Sequence, residues 1–170
     1  MTRACEDCSF CCKVLGIAAL NKPAHQWCVN FKKGARCTIY GEHPDECKTF
    51  QCYWTIVETL PQDWRPDRCK FVLWSNQDRR IIVDVDPDFP DAWRKEPFLS
   101  GMKSWTLPTL ATPMQVLVRV KGRMIVLFPD TEIDLGPYDS SNSVDSGYVM
   151  QNGRPTPYAR YVPAKNKSAS

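Results

Sequence analysis

Cysteine placement constrains the fold of this chain more than any other feature of its 170 residues. Eight of the nine cysteines lie in the first third, and four of them open the chain with the spacing C-x2-C-x2-C-C. Thiols so close in sequence either hold a metal or hold one another in disulfides. The eight are Cys5, Cys8, Cys11, Cys12, Cys28, Cys37, Cys47 and Cys52.

Three observations favour metal over disulfides. Nine cysteines leave one thiol unpaired in any complete disulfide scheme, and the charged N-terminus does not match a secretory leader. Adjacent cysteines such as Cys11 and Cys12 form a disulfide only with strain. Because no leader is recognised, we expect a cytoplasmic protein. In that reducing compartment, dense cysteines indicate metal binding or catalysis.

The spacing of the thiols predicts how they converge. Cys5, Cys8 and Cys11 are three residues apart, which places them on one side of a helical turn or tight knuckle, whereas Cys12 points elsewhere. Eight thiolates satisfy two closed tetrahedral zinc sites, and thiolates equally hold iron–sulfur clusters. Ligand type does not separate the two metals. We expect zinc first and iron, or an iron–sulfur cluster, second.

The remaining sequence predicts an α+β fold, in which a cysteine-rich, metal-bound half of helices and loops packs on a small antiparallel β-sheet. We expect a metal-binding region at 1–60, a β-rich extension of the same domain at 61–138, and a polar loop and tail at 139–170. No apolar run is long enough for a membrane span.

Local patterns predict the individual elements. Helices are expected at 10–20, at 44–57 with a buried aromatic stripe, and at 90–95 or on to 105. Strands are expected at 70–74, 81–85, 114–120, 124–128 and 132–135. The turn of the first strand pair is placed at 76–78, and that of the third and fourth strands at 121–123.

The cysteine pattern resembles the CxxCxxCC family of zinc- or iron-chelating proteins, also called the YkgJ-type cysteine-cluster family. The opening knuckle matches over 5–12, and a second signature matches over 37–52, where Ile-Tyr, a proline and Phe-x-Cys follow Cys37. Cys28 holds the intermediate position. The resemblance implies that all eight thiols are metal ligands. It differs at His43, where the family usually has arginine before the proline.

Several other residues have two interpretations. We interpret His43 as a hydrogen-bonding residue at a helix start, with a metal-site role as the alternative. His25 is expected on the surface or in a loop, and Cys69 as a buried small residue rather than a ninth ligand. The run Asp84-Val-Asp86-Pro-Asp88 is interpreted as a solvated turn, the alternative being a hard-cation or catalytic cluster.

Three functions stay open at this point. The first is a structural metal-binding protein, because sites closed by cysteines leave no coordination position for a substrate. The second is an iron–sulfur redox protein or enzyme, with methyl transfer known from a related cysteine pattern. The third is a zinc-stabilised interaction module. A protein partner fits it better than nucleic acid, since acids interleave with the basic residues near Arg65 and the net charge is only +3.

Overall fold

A five-stranded sheet forms the centre of the molecule, which is described by a computed structural model at residues 3, 8–75, 79–108 and 113–164. Its five strands lie side by side in the order in which they occur along the chain. The fold is α+β, as the sequence predicts. The strands are β3 (Phe71–Trp74), β4 (Arg80–Val85), β5 (Gln115–Val120), β6 (Arg123–Leu127) and β7 (Glu132–Pro137).

The sheet is mixed, so the expectation of a purely antiparallel sheet is wrong. β4 and β5 run parallel, with Ile82 opposite Leu117, while the other neighbouring pairs are antiparallel. Between them the chain crosses over through a 3₁₀ turn at Ala92–Arg94 and the helix α5 (Phe98–Ser104). Parallel neighbours require a long connection of this kind. The turn predicted at 76–78 lies outside the described residues.

The helices of the cysteine-rich half are shorter than the sequence predicts. The expected helix at 10–20 is one turn, α1 (Cys11–Val14), followed by a 3₁₀ turn at Ala18–Leu20. The expected helix at 44–57 is divided into α2 (Asp45–Thr49) and α3 (Tyr53–Ile56). The break lies at Phe50, whose backbone is extended and whose ring packs on Trp74 at a centroid distance of 6.0 Å.

One face of the sheet carries the main core. Phe71, Val83 and Val118 are fully buried there, under Trp64, Trp93 and other side chains from the helical layer. The layer includes α3, α5 and the one-turn helix α4 (Pro66–Cys69). Trp64 stands edge-on to both Phe71 and Phe98.

The second face of the sheet has two covers. A ten-residue-per-strand hairpin, β8 (Asn142–Gln151) and β9 (Arg154–Pro163), packs Val144 over the half of the sheet near Leu117 and Val126. The sequence predicts a polar loop and tail at 139–170, whereas the structure has this hairpin at 142–163. The pattern did contain a signal, because Asn-Gly favours a tight hairpin turn and Asn152 and Gly153 both have positive φ.

The cysteine-rich segment is the other cover of this second face. Phe10, just before α1 (Cys11–Val14), and Val14, its last residue, pack on Val72 of β3. Between the 3₁₀ turn at Ala18–Leu20 and α2, the chain forms a two-residue-per-strand hairpin, β1 (Phe31–Lys32) and β2 (Arg36–Cys37). The two covers leave part of the second face uncovered between them. Trp74, Asp84 and Arg119 lie in this gap.

Candidate thiol cluster and adjoining cleft

Seven of the eight predicted metal ligands fall in the described part of the chain, and Cys5 lies outside it. No disulfide joins two of the described cysteines, and the seven predicted ligands are half-buried. These seven are Cys8, Cys11, Cys12, Cys28, Cys37, Cys47 and Cys52.

Lys22 lies at the centre of the larger group of thiols. Its ammonium donates hydrogen bonds to the carbonyl oxygens of Lys13 at 3.2 Å and Pro23 at 3.1 Å, and to that of Leu15. Burial lowers the pKa of Lys22, and the surrounding thiols oppose that shift by favouring the charged ammonium. In order of strength, those thiols belong to Cys28, Cys12, Cys11 and Cys47.

Cys12 is a thiol of this group that ionises more readily than a free cysteine. A hydrogen bond with Cys11 lowers its pKa to about 7, helped by Lys22 and opposed by burial. Its backbone carbonyl accepts a hydrogen bond from the Cys28 amide at 3.0 Å, which holds the two chain segments together. A thiol with this pKa is about half ionised at neutral pH, and the thiolate is the form that binds metals.

Cys47 has the opposite shift, although it belongs to the same group. Burial raises its pKa, and the charges of Cys12, Cys28 and Cys37 raise it further. Thiolates that raise one another's pKa carry like charges in one region, and a bound cation would relieve that repulsion.

Cys8 and Cys52 form a second, smaller neighbourhood. They line a small cavity of about 20 Å³ together with Cys11, under Trp54. Burial raises the pKa of the Cys8 thiol. Cys11 contributes to both neighbourhoods, which agrees with a cluster of thiols divided into two parts.

Cys69 lies beside the second neighbourhood but differs from the other cysteines. It is 2% exposed, and its thiol donates to the carbonyl oxygens of Phe71 at 3.2 Å and Trp64 at 3.4 Å. Burial raises its pKa far above the usual range. The prediction that Cys69 is a buried small residue is confirmed.

The thiols approach one another without closing a coordination shell. Among the residues the structure describes, no three or more His, Cys, Asp or Glu side chains are grouped so that they could hold a metal ion. The donor chemistry nevertheless suits a thiophilic ion, because the larger group combines an ionisable thiol with thiols that repel one another.

The two histidines have different environments. His43 stacks on Tyr40 at a centroid distance of 5.1 Å, and its Nδ1 accepts a hydrogen bond from the Gly41 amide at 3.0 Å, just before α2. His43 thus forms a hydrogen bond next to the helix start, but within the preceding turn, and no side chain caps α2. His25 lies in a loop, as expected, but it is half-buried rather than on the surface.

The interpretation of the aspartate run as a solvated turn is wrong for two of its members. Asp84 and Asp86 are 4% and 1% exposed, and each is paired with a cation. Lys13 contacts Asp86 at 2.6 Å and Asp88 at 2.7 Å, which ties the cysteine-rich segment to the end of β4. Arg119 holds Asp84.

A cleft of about 1010 Å³ adjoins the thiol cluster, in the gap between the two covers of the sheet. Its first wall is the loop after α1 together with Lys22 and His25, and its second is the sheet surface around Trp74, Asp84 and Arg119. Lys22 therefore borders both the thiols and the cleft. Sequence reasoning missed this lysine, since nothing in its local pattern distinguishes it.

Comparisons with known proteins add no relative. No family model matches the chain, and no curated protein or solved structure matches it either. Within the described ranges, no helix is long and apolar enough to cross a membrane.

Proposed function

We propose that this chain is a thiolate metal-binding protein, with zinc as the preferred ion and iron, alone or as an iron–sulfur cluster, as the alternative. Cys5, Cys8, Cys11, Cys12, Cys28, Cys37, Cys47 and Cys52 are its ligands in this proposal. The five-stranded sheet has a hydrophobic core of its own and does not need the metal in this proposal. The cysteine-rich segment is the part that the metal stabilises.

One observation carries the proposal. From residue 23 to residue 53 no side chain is buried, and four half-buried thiols are distributed along this stretch. A segment of that length with no fully buried side chain, and with partial packing at a few residues such as Phe50, gains little hydrophobic stabilisation to offset its conformational entropy. Metal–thiolate bonds supply folding free energy directly in such segments. The four thiols are those of Cys28, Cys37, Cys47 and Cys52.

The compartment and the family are part of the same proposal. Dense cysteines without a disulfide among the described ones suit the reducing cytoplasm. Membership of the CxxCxxCC family rests on the two cysteine signatures and on the resemblance alone. A structural role is favoured over catalysis, because ligands that are all cysteine leave a closed site.

Elemental analysis with a visible absorption spectrum, on protein purified without oxygen or chelators, tests the proposal. We expect about two zinc ions per chain and no colour, as paired four-cysteine sites require. Iron with sulfide and a brown colour would select the iron–sulfur alternative. Protein that contains neither metal, and takes up neither when reconstituted, would refute metal binding.

Matched cysteine variants test the ligand assignment. Cys8→Ser and Cys47→Ser should lose metal, and limited proteolysis should then cut between residues 23 and 53. Cys69→Ser is the control and should keep its metal, because the Cys69 thiol is directed to the carbonyl oxygens of Trp64 and Phe71. Metal loss in the Cys69 variant with retention in the other two would overturn the assignment.

A further inference from the structure

The cleft beside the thiol cluster has the size and composition of a small-molecule site. Its volume of about 1010 Å³ lies at the upper end of the usual range for such sites, and its walls combine apolar side chains with charged ones of both signs. Val14, Leu15 and Ile17 contribute to the wall formed by the cysteine-rich segment. A ligand here would be enclosed by two separate parts of the fold.

Arg119 is the polar group that the structure holds most firmly in this cleft. Its Nε donates to Asp84 Oδ1 at 2.6 Å, and its Nη2 donates to Asp84 Oδ2. Asp84 in turn accepts a hydrogen bond from Trp74 Nε1 at 2.6 Å. Asp84 is thus a buried anchor that fixes the plane of the guanidinium, so that Arg119 meets a ligand already oriented.

The guanidinium still has hydrogen-bonding capacity. Of its five N–H groups, one on Nη1 donates to the Tyr138 hydroxyl at 3.2 Å, and two are used by Asp84. Within the described part of the chain, the remaining two have no partner. They lie on Nη1 and Nη2, the pair that binds a carboxylate in a bidentate manner.

Aromatic rings surround this donor pair. Trp74 and Tyr138 lie 5.3 Å and 5.1 Å from the guanidinium carbon of Arg119. Phe50 continues the apolar surface from Trp74. A ligand with an apolar or planar body would therefore find its anionic end at Arg119 and its body against these rings.

His25 contributes a further polar group to the wall of this cleft. Its φ is +63°, a left-handed conformation that histidine adopts more often than most residues other than glycine. Its Nδ1 is buried and has no hydrogen-bond partner among the described groups. Since buried polar atoms in native proteins are usually satisfied, this nitrogen is available to pair with a bound group.

We propose that this cleft binds a small organic carboxylate, with the carboxylate on Arg119 and an apolar body against Phe50 and Trp74. A monoanion fits better than a phosphate dianion, because Asp84 already neutralises much of the charge of Arg119. The other cations that line the cleft are also engaged, Lys22 by backbone carbonyls and Arg123 by Asp134. Arg119 and Trp74 belong to the sheet, but the wall that carries Phe50 and His25 rests on the proposed metal function, which holds residues 23–53.

Saturation-transfer NMR and calorimetry on the protein as purified test this site with four probes: benzoate, cyclohexanecarboxylate, the neutral isostere benzamide, and inorganic phosphate. We expect both carboxylates to bind, with benzamide about tenfold to a hundredfold weaker, the factor for losing a bidentate charged contact. Arg119→Lys keeps the charge but not the paired donors, and should weaken benzoate by a similar factor.

Two further variants keep the test sharp. Ala18→Trp places a ring in the cleft from an exposed position and should block benzoate without unfolding the protein. Arg160→Lys is the matched control, an arginine paired with Asp145 on the β8–β9 hairpin, and should bind benzoate like the wild type. The metal content of every sample is measured, so that loss of metal is distinguished from loss of the cleft.

Four results would overturn the proposal. Equal binding of benzoate and benzamide would show that the cleft does not recognise a carboxylate. Tighter binding of phosphate than of benzoate would show that the ligand belongs to another class. Unchanged benzoate affinity in Arg119→Lys and Ala18→Trp would place the ligand elsewhere. Absence of binding by both carboxylates at millimolar concentration would remove the site.

Discussion

Lys13 connects the cysteine-rich segment to the sheet, and Lys13→Met is expected to destabilise the whole protein. The methionine keeps most of the volume and the apolar stem of the side chain but removes the ammonium. Asp86, 1% exposed, would then be a buried carboxylate without a cation, although its Oδ1 would still accept the Asp88 amide at 3.1 Å. An uncompensated buried charge is among the costliest single changes in a protein.

The size of the effect follows from the burial of the pair. Removing one partner of a buried ion pair costs about 3–5 kcal/mol. For a chain of 170 residues each kcal/mol lowers the melting temperature by about 2–4 °C, so we expect a decrease of about 6–20 °C. The second contact of Lys13, with the mostly exposed Asp88, adds little because solvent screens it.

Thermal unfolding followed by circular dichroism measures this decrease, with Arg123→Met as the matched control. The pair of Arg123 with Asp134 is about half-exposed on both sides, so its loss should cost about 1 kcal/mol or less. The double variant Lys13→Met/Asp86→Leu should recover much of the stability, since no unpaired charge remains. If Lys13→Met melts within about 4 °C of the wild type at equal metal content, the ion pair is not the link described here.

Three other perturbations have defined outcomes. Burial lowers the pKa of His25, so the folded state binds a proton less readily than the unfolded state. The urea midpoint should therefore fall as the pH drops below about 6.5, and less so in His25→Asn, which tolerates the left-handed backbone. Gly101→Ala should destabilise by about 1–3 kcal/mol in a denaturant titration despite its better helix propensity, because the new Cβ would lie 2.8 Å from Trp64 Cζ2. After chelator treatment, iodoacetamide at pH 7 followed by mass spectrometry should modify Cys12 early and Cys69 last, and the reverse order would contradict the environments of both thiols.

Alternating and apolar patterns were enough to predict the strands. All five predicted strands match β3 to β7 within a residue or two, and the turn at Lys121 and Gly122 has the positive φ angles expected of a tight hairpin. These features are local, since a strand buried on one or both faces shows its period in its own sequence. The parallel pairing of β4 with β5 is not local, and no pattern within either strand indicated it.

The functional surroundings were harder to predict for the same reason. The ion pair of Asp84 with Arg119 joins residues of two different strands. The ion pair of Lys13 with Asp86 joins residues that are 73 positions apart in the sequence. Sequence reasoning therefore treated the aspartate run as solvated, although both carboxylates are buried by packing that only the fold creates. The thiol ligands come from a spacing that the sequence contains in full, and their assignment as metal ligands stays a prediction.

The outer part of the β8–β9 hairpin can change in length without altering the packing of the sheet. Val144 and Tyr161 near its base pack on the sheet, and Tyr148 stands edge-on to Phe128 at a centroid distance of 5.6 Å, whereas the outer arm from Val149 to Pro155 is exposed. Removing or adding one residue on each strand of this outer arm turns its side chains over without touching the base, and changes of two on each strand preserve even that orientation. The arm is therefore the region where related chains are free to differ in length, while the cysteine-rich segment and the cleft keep their dimensions.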